Sequence, residues 1–280
     1  MLFRSPETDE LPDDFVYHAT HNAYSVADYL RQRLQLTGPA AVISTACSSS
    51  AKTFASAYRA LQSGWCDAAI VGGVDSLCHT TLHGFNALQL LSDEICRPSD
   101  RDRRGINIGE AGGFALVRLA EPGQSGLAVC GYGESSDAYH MSAPRPDGSQ
   151  AADAMRSALQ RAGLEPDAID YVNLHGTGTQ ANDLSEDKAL QQVFTHAPAV
   201  SSTKGWTGHT LGAAGIVEAL FSLICLEKGW VPQSLNTRHV DPELKSRVLM
   251  APEQHDVSYV LSNAFGFGGS NCSLVLGRVG

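Results

Sequence analysis

The chain contains no Cys-x-x-Cys pair, no run of lysine and arginine, and no apolar stretch near the ~18 residues that cross a bilayer. Each absence removes a class of function. Without paired cysteines, zinc-finger spacing is excluded, and seven cysteines, an odd number with no secretory leader, argue against a disulfide framework. Reduced thiols in a cytoplasmic protein are the expectation. With no basic run and a net charge of −10, neither nucleic acid nor an anionic membrane is an expected partner. Charge is sparse at 18%, whereas 43% of the 280 residues are hydrophobic, enough for one large domain or two smaller ones with real cores.

The centre of the chain's organisation is the stretch Ala40 to Lys52. Ala40–Ile43 is short, apolar and partly β-branched and reads as a buried strand, whereas Phe54, Ala55, Tyr58 and Leu61 are spaced along one side of a helix beginning near Lys52. Cys47 then stands in a sharp turn at a helix N-terminus, where free amides and the dipole favour an anion, so its thiol is expected to ionise more easily than usual. Two readings stand at this point: a nucleophile, or a small buried hydrophobe.

Upstream, Met1–Glu10 is polar, Leu11–Asp14 reads as an irregular lead-in, and Tyr24–Leu36 has helical spacing ended by Gly38-Pro39. Downstream, strands are predicted at 68–74, 114–119, 127–131, 169–174, 199–203, 259–262 and 273–276, alternating with helices at 81–91, 149–162, 184–195 and 211–228. Such alternation implies a mainly parallel sheet wound on both faces. The segment Arg97–Arg104 reads as a charged loop whose arginines are mostly solvated.

Reactive groups in α/β folds collect where strands end and helices begin. His175, in His175-Gly176-Thr177-Gly178-Thr179, closes a predicted strand; Lys204 follows another, and His209 precedes a helix. Singly each is weak, since a histidine beside a helix start can be a cap. Together, Thr45-Ala46-Cys47-Ser48-Ser49-Ser50, the His175 motif, Lys204 with Thr207-Gly208-His209, and Asn263-Ala264-Phe265-Gly266-Phe267-Gly268-Gly269 resemble the elongating β-ketoacyl-acyl carrier protein synthases, from about Tyr17 to the C-terminus.

The resemblance implies an α/β thiolase-like fold of two βαβαβαββ halves in a five-layer sandwich. Residues 1–120 would form an incomplete N-terminal half carrying the nucleophile, and 121–280 a C-terminal half carrying the histidines. It also implies an acyltransferase: Cys47 takes an acyl group, His175 and His209 stabilise the enolate from a decarboxylating malonyl thioester, and the Cys47 and Phe267 amides hold the oxyanion. Lys204, paired with Glu218, would orient His175. Thr177 and Thr179 would contact the pantetheine arm and Phe267 would gate the cysteine. Asn173, Glu218, Ser262 and Asn263 match a structural cation site of some relatives. No resident cofactor is implied, because phosphopantetheine arrives on the acyl carrier protein, and the implied assembly is a homodimer or a ketosynthase heterodimer. Cys272 reads as core rather than as a second catalytic thiol.

Two departures from the family stand out. A first βαβ unit ahead of Phe15 is missing, so the N-terminal sheet is expected to show unpaired edges and exposed apolar surface. Either the chain is truncated or another polypeptide supplies that portion. In addition, Arg104-Gly105-Ile106-Asn107 stands where the family generally has Asp-Gly-Phe. Three alternatives remain at this level: a noncatalytic partner subunit similar to a chain-length factor, which usually lacks the nucleophile; an inactive truncated ketosynthase; and a thiolase acting on coenzyme A, which the His-His pattern opposes.

Overall fold

The computed structural model describes residue 11, residues 15–254 and residues 256–280, so most of the polar lead-in read at the N-terminus lies outside the described residues. Helices α1 (Tyr17–Thr20) and α2 (Ser25–Arg33) precede α3 (Ser49–Gln62), β1 (Ala68–Asp75), α4 (His79–Ala87) and β2 (Ala111–Arg118). The second half runs β3 (Gly126–Ser136), α5 (Ser149–Ala162), β4 (Tyr171–Asn173), α6 (Gln180–Val193), β5 (Ala199–Ser201), α7 (Lys204–Thr207), α8 (Ala214–Lys228), β6 (Trp230–Val231), β7 (Arg247–Val248), β8 (Glu253–Gln254), β9 (Tyr259–Gly266) and β10 (Ser270–Val279). No helix among the described residues is long and apolar enough to cross a membrane.

The principal sheet has strand order β3-β10-β9-β4-β5-β7. It is mixed. Strands β9, β4, β5 and β7 run parallel through crossover helices, but β3, β10 and β9 pair antiparallel. This corrects the expectation of a mainly parallel sheet: only three residues, Phe267–Gly269, separate β9 from β10, too few for the crossover that parallel pairing requires.

Both faces of this sheet are covered, which is why its strands read as continuous apolar runs. On one face, α5 and α6 enclose Met155, Ile169, Val172, Leu190 and Val275. Alanines at 151, 152, 154 and 158 let α5 lie close to β3, and a Cβ added at Gly133 would come 1.8 Å from the Ala154 carbonyl. On the other face, α3 and α8 fill the space between the sheet and an antiparallel β1–β2 ribbon, burying Phe54, Val71, Ile216, Leu226 and Leu274. The layers are therefore ribbon, helices, sheet, helices. The ribbon pairs with no other strand among the described residues, and its outer face is bare: Val74, Phe114 and Leu116 are 47%, 39% and 69% exposed.

The strand expected at Ala40–Ile43 is absent. No strand among the described residues offers it a ladder, so its backbone runs irregularly and Val42 is 41% exposed. Most other elements fall within a few residues of their expected positions. Helix α5 matches at both ends, closed by Gly163 at φ 67°.

Candidate active site

The turn before α3 is built from short hydroxyl side chains. The Ser48 hydroxyl donates to the Thr45 carbonyl at 2.9 Å, while Ser49 Oγ accepts the Thr45 N–H at 2.9 Å and donates to the Ala46 carbonyl at 2.6 Å. These bonds hold Ala46 at φ 53°, a left-handed conformation that a non-glycine residue adopts only when its surroundings impose it. Gly266 at the end of β9 approaches so closely that a Cβ there would sit 2.5 Å from the Thr45 carbonyl. Cys47 is thereby fixed and buried, at 4% exposure.

Three other elements deliver their polar groups to this turn. His209 follows the tight turn at Gly208 and places Nε2 3.0 Å from Cys47 Sγ. His175, just past β4, lies with its ring centroid 5.4 Å from that of His209, edge to face. The backbone N–H groups of Phe267 and of Cys47 itself are directed at the sulfur. Lys204, 1% exposed, donates from Nζ to the His175 carbonyl at 2.5 Å, pairs with Glu218 on α8, and lies 3.5 Å from His175 Nδ1.

These contacts fix the tautomers. The Leu211 N–H donates to His209 Nδ1 at 3.3 Å, so in the neutral ring the proton sits on Nε2 and points at the sulfur. The Lys204 ammonium has only hydrogens to offer His175 Nδ1, so that ring also carries its proton on Nε2. Burial first, and then the Lys204 charge, hold both imidazoles well below the usual histidine range. They are neutral donors at neutral pH.

The thiol departs from expectation. Burial pushes Cys47 up to about 11, and the Lys204 charge and the two amides recover only part of the cost. The helix N-terminus suggested the opposite shift; desolvation in a 4%-exposed site outweighs a terminal dipole worth ~1 kcal/mol. Burial likewise raises Glu218 while the Lys204 ammonium pulls it back.

Thr177 and Thr179 hydroxyls lie 3.0 Å apart, and Thr179 also caps α6 by accepting the Asn182 N–H at 3.3 Å. The Phe267 ring packs on Phe85, with centroids 5.4 Å apart. Behind the histidines, both side-chain polar atoms of Asn173 and Glu218 Oε2 are buried without a hydrogen-bond partner. Ser262 stands beside Asn173 across the β4–β9 ladder, and Asn263 Oδ1 accepts from Ser273 Oγ at 2.7 Å. Cys272, on β10, is buried in the core.

Two charged residues escaped the sequence reading. Glu186 accepts the His175 and Gly176 N–H groups, each at 2.8 Å, and Asn263 Nδ2 at 3.1 Å, and burial pushes it up to about 7. Arg103 is not solvated as expected: its side chain is 0% exposed and pairs with Asp183 at 3.3 Å and Asp241 at 2.6 Å. The available signal was a helix, 180–193, with carboxylates at 183, 186 and 187 and lysine only at 188, an imbalance that demands partners from elsewhere.

A family model described as "Beta-ketoacyl synthase, N-terminal domain" matches residues 6–122, and one described as "Beta-ketoacyl synthase, C-terminal domain" matches 127–238. The chain belongs to the β-ketoacyl synthase family. Among solved β-ketoacyl synthases, one from Burkholderia phymatum STM815 superposes with a TM-score of 0.91 at 30% identity, over 98% of this chain and 70% of that one. A structure of the ketosynthase ApeO in complex with its chain length factor ApeC, from Xenorhabdus doucetiae, matches with a TM-score of 0.86 at 43% identity, over 91% of this chain and 64% of that one. The 3-oxoacyl-[acyl-carrier-protein] synthase 2 of Staphylococcus aureus (strain COL) is 38% identical over 253 residues, 85% of this chain. The chain spans 61% of the length of that curated relative. The β-ketoacyl synthase fold is the α/β thiolase-like one expected from the motifs.

Proposed function

We propose that this chain carries the condensing centre of a 3-oxoacyl-acyl carrier protein synthase, working on acyl and malonyl thioesters in fatty-acid or polyketide-type, including polyene, synthesis. One observation supports the reading above the others: a buried cysteine sulfur 3.0 Å from a histidine whose N–H points at it, with a second neutral histidine alongside. The division of labour follows from that geometry. Cys47 sulfur attacks the acyl thioester carbonyl, the C–S bond to pantetheine breaks, and the proton lost by Cys47 leaves with the pantetheine thiol. The malonyl thioester then loses carbon dioxide, and its C–C electron pair moves onto the thioester oxygen, where the Nε2–H groups of His175 and His209 are donors. The resulting carbanion attacks the acyl-Cys47 carbonyl. Oxyanion charge falls between the Cys47 and Phe267 amides, and collapse expels the Cys47 sulfur, which regains a proton.

Lys204 and Glu218 keep His175 oriented, Thr177 and Thr179 contact the pantetheine arm, and Phe267 with Phe85 covers the approach to Cys47. The half comprising residues 1–120 supplies the nucleophile and 121–280 the donors. Asn173 Oδ1 and Glu218 Oε2, unpartnered and buried, suit an oxygen-ligated structural cation, with Ser262 adjacent and a second lone pair free on Asn263 Oδ1. Such an ion adds positive charge beside Glu218 and takes no part in bond making.

The names of the relatives support the partners: an acyl carrier protein, and a second ketosynthase-like subunit, either a copy of this chain or a chain-length factor. The alternative role as the noncatalytic subunit is disfavoured by the presence of Cys47, both histidines and Lys204 around one sulfur. The test is acyl loading followed by mass spectrometry. Acyl mass is expected on the Cys47 peptide and to vanish in Cys47→Ala, and loading at another residue would overturn the assignment.

A further inference from the structure

Segment 105–109 is wedged between the two histidine loops. On one side the Gly105 N–H donates to the Gly178 carbonyl at 3.1 Å; on the other the His209 N–H donates to the Asn107 carbonyl at 2.7 Å and the Gly109 N–H to the His209 carbonyl at 3.0 Å. His209 thus takes its backbone position from residue 107. The Asn107 side chain is fully engaged elsewhere: Oδ1 accepts the Cys96 N–H at 2.7 Å, and Nδ2 donates to the Ser92 and Glu94 carbonyls at 3.2 and 3.0 Å. Cys96 in turn donates its thiol to the Thr177 carbonyl at 3.4 Å and offers its own carbonyl to Asn236 at 3.2 Å. Residue 107 therefore joins the loop at 92–96 and, through Cys96, the His175 loop by its side-chain amide, and the His209 loop by its backbone carbonyl.

We infer that Asn107 is the positioning residue that sets the distance between His209 and Cys47 and keeps the His175 loop in register with it. The inference rests on the reading of this site as a condensing centre and deepens it. With its side-chain oxygen and nitrogen both bonded within the protein, Asn107 is read as acting through His209 rather than on the reacting atoms. No apolar side chain reproduces the arrangement, because two carbonyls and an N–H would lose their partner together. Catalysis is sensitive to such displacement, since about 1 Å of misplacement costs on the order of 100-fold.

Two variants of the full chain test it. In Asn107→Leu, alkylation of Cys47 by iodoacetamide, followed on its own peptide by mass spectrometry, is expected to slow about fivefold at pH 8, the worth of one lost hydrogen bond to the sulfur. Decarboxylation of malonyl-pantetheine should lose between about 10- and 100-fold in kcat with KM within about twofold. In Asn107→Asp, Oδ1 still accepts from Cys96, but a carboxylate faces the Ser92 and Glu94 carbonyls; once protonated it can donate to one of them. The variant-to-wild-type ratio of alkylation rates should therefore recover as the pH falls, while the His209 titration and the charges of Glu94, Arg97 and Arg104, which both proteins share, cancel. A Leu variant with the wild-type alkylation profile overturns the proposal, and so does an Asp ratio that is flat with pH, including the case in which the Leu variant does not fold. Absence of decarboxylation by the wild-type protein sinks the condensing reading alone, because the alkylation profiles still report on Asn107.

Discussion

A buried imidazole offers one defined N–H to a substrate when its charge is held at zero and its other nitrogen is kept as an acceptor. Both conditions are set here by single residues: the Leu211 N–H and the Lys204 ammonium occupy the Nδ1 atoms, and burial with the Lys204 charge keeps the rings neutral. In the proposed reaction, removing one ring takes a donor from the enolate while leaving Cys47 in place. His175→Ala and His209→Ala are accordingly expected to slow malonyl decarboxylation by about 100- to 1,000-fold, the cost of one oxyanion donor, and acyl transfer to Cys47 by much less. Separate assays of carbon dioxide release and of acyl-Cys47 formation check this, and equal losses in both would count against it. The sulfur makes a second expectation. With the thiol pushed up to about 11, the thiolate fraction rises about tenfold per pH unit from neutrality, so Cys47 alkylation should climb steadily through pH 9 instead of levelling off there as a solvated thiol would.

At the scale of elements, Cys47 reaches the histidines because α3 and α8 cross almost in contact. A Cβ added at Gly215 would lie 2.5 Å from the Ala51 amide nitrogen, and the Ile216 N–H donates to Ser50 Oγ at 2.9 Å, so the two helices are locked within the first turns that follow Cys47 and His209. Gly215→Ala must push them apart. Overpacking of this kind costs about 1–3 kcal/mol, and the variant is expected to lose that much stability in urea unfolding together with slower Cys47 acylation. Arg103→Leu should cost more, about 3–5 kcal/mol, since it strands the Asp183 carboxylate on α6 and the Asp241 carboxylate of the loop before β7, which together hold loop 97–104. These elements also mark how far the sequence could be read. Helices α5 and α8 were legible because apolar spacing and a terminal glycine at 163 or 229 are local signals. Cys47, His175 and Lys204 were legible because each follows a short apolar run, and His209 because it precedes the apolar run of α8. Arg103, Glu186 and the failed strand at 40–43 were not, since Arg103 depends on a partner 138 residues away, Glu186 on the amides of an irregular loop and on Asn263, 77 residues away, and the strand on a neighbour, and no local pattern encodes those.

At the scale of the whole molecule, buried ionisable groups of opposite kind set how stability responds to acid. His175 and His209 resist protonation in the folded protein, whereas in the unfolded chain they take up protons below about pH 6.5, so each ring costs about 1.4 kcal/mol per pH unit as the pH falls from there. Glu186, raised to about 7, works the other way: between about 7 and 4.5 the folded state holds a proton that the unfolded chain has released, so acidification stabilises it, and Glu218 acts in the same direction. The opposed slopes offset one another down to about pH 4.5, where the carboxyls of the unfolded chain also become protonated; below that, Asp100 and Asp241, held below the usual carboxylate range, add their own loss to the histidine cost. A shallow stability profile from pH 7 to 4.5 and a steep fall below it are expected from urea unfolding at a series of pH values. His209→Ala removes one ring from the sum, so its stability relative to the wild type should improve by about 1.4 kcal/mol for each pH unit below 6.5. A difference between the two proteins that does not change with pH would mean that His209 titrates normally in the folded state, and the neutral donor pair on which the condensing chemistry depends would have to be abandoned.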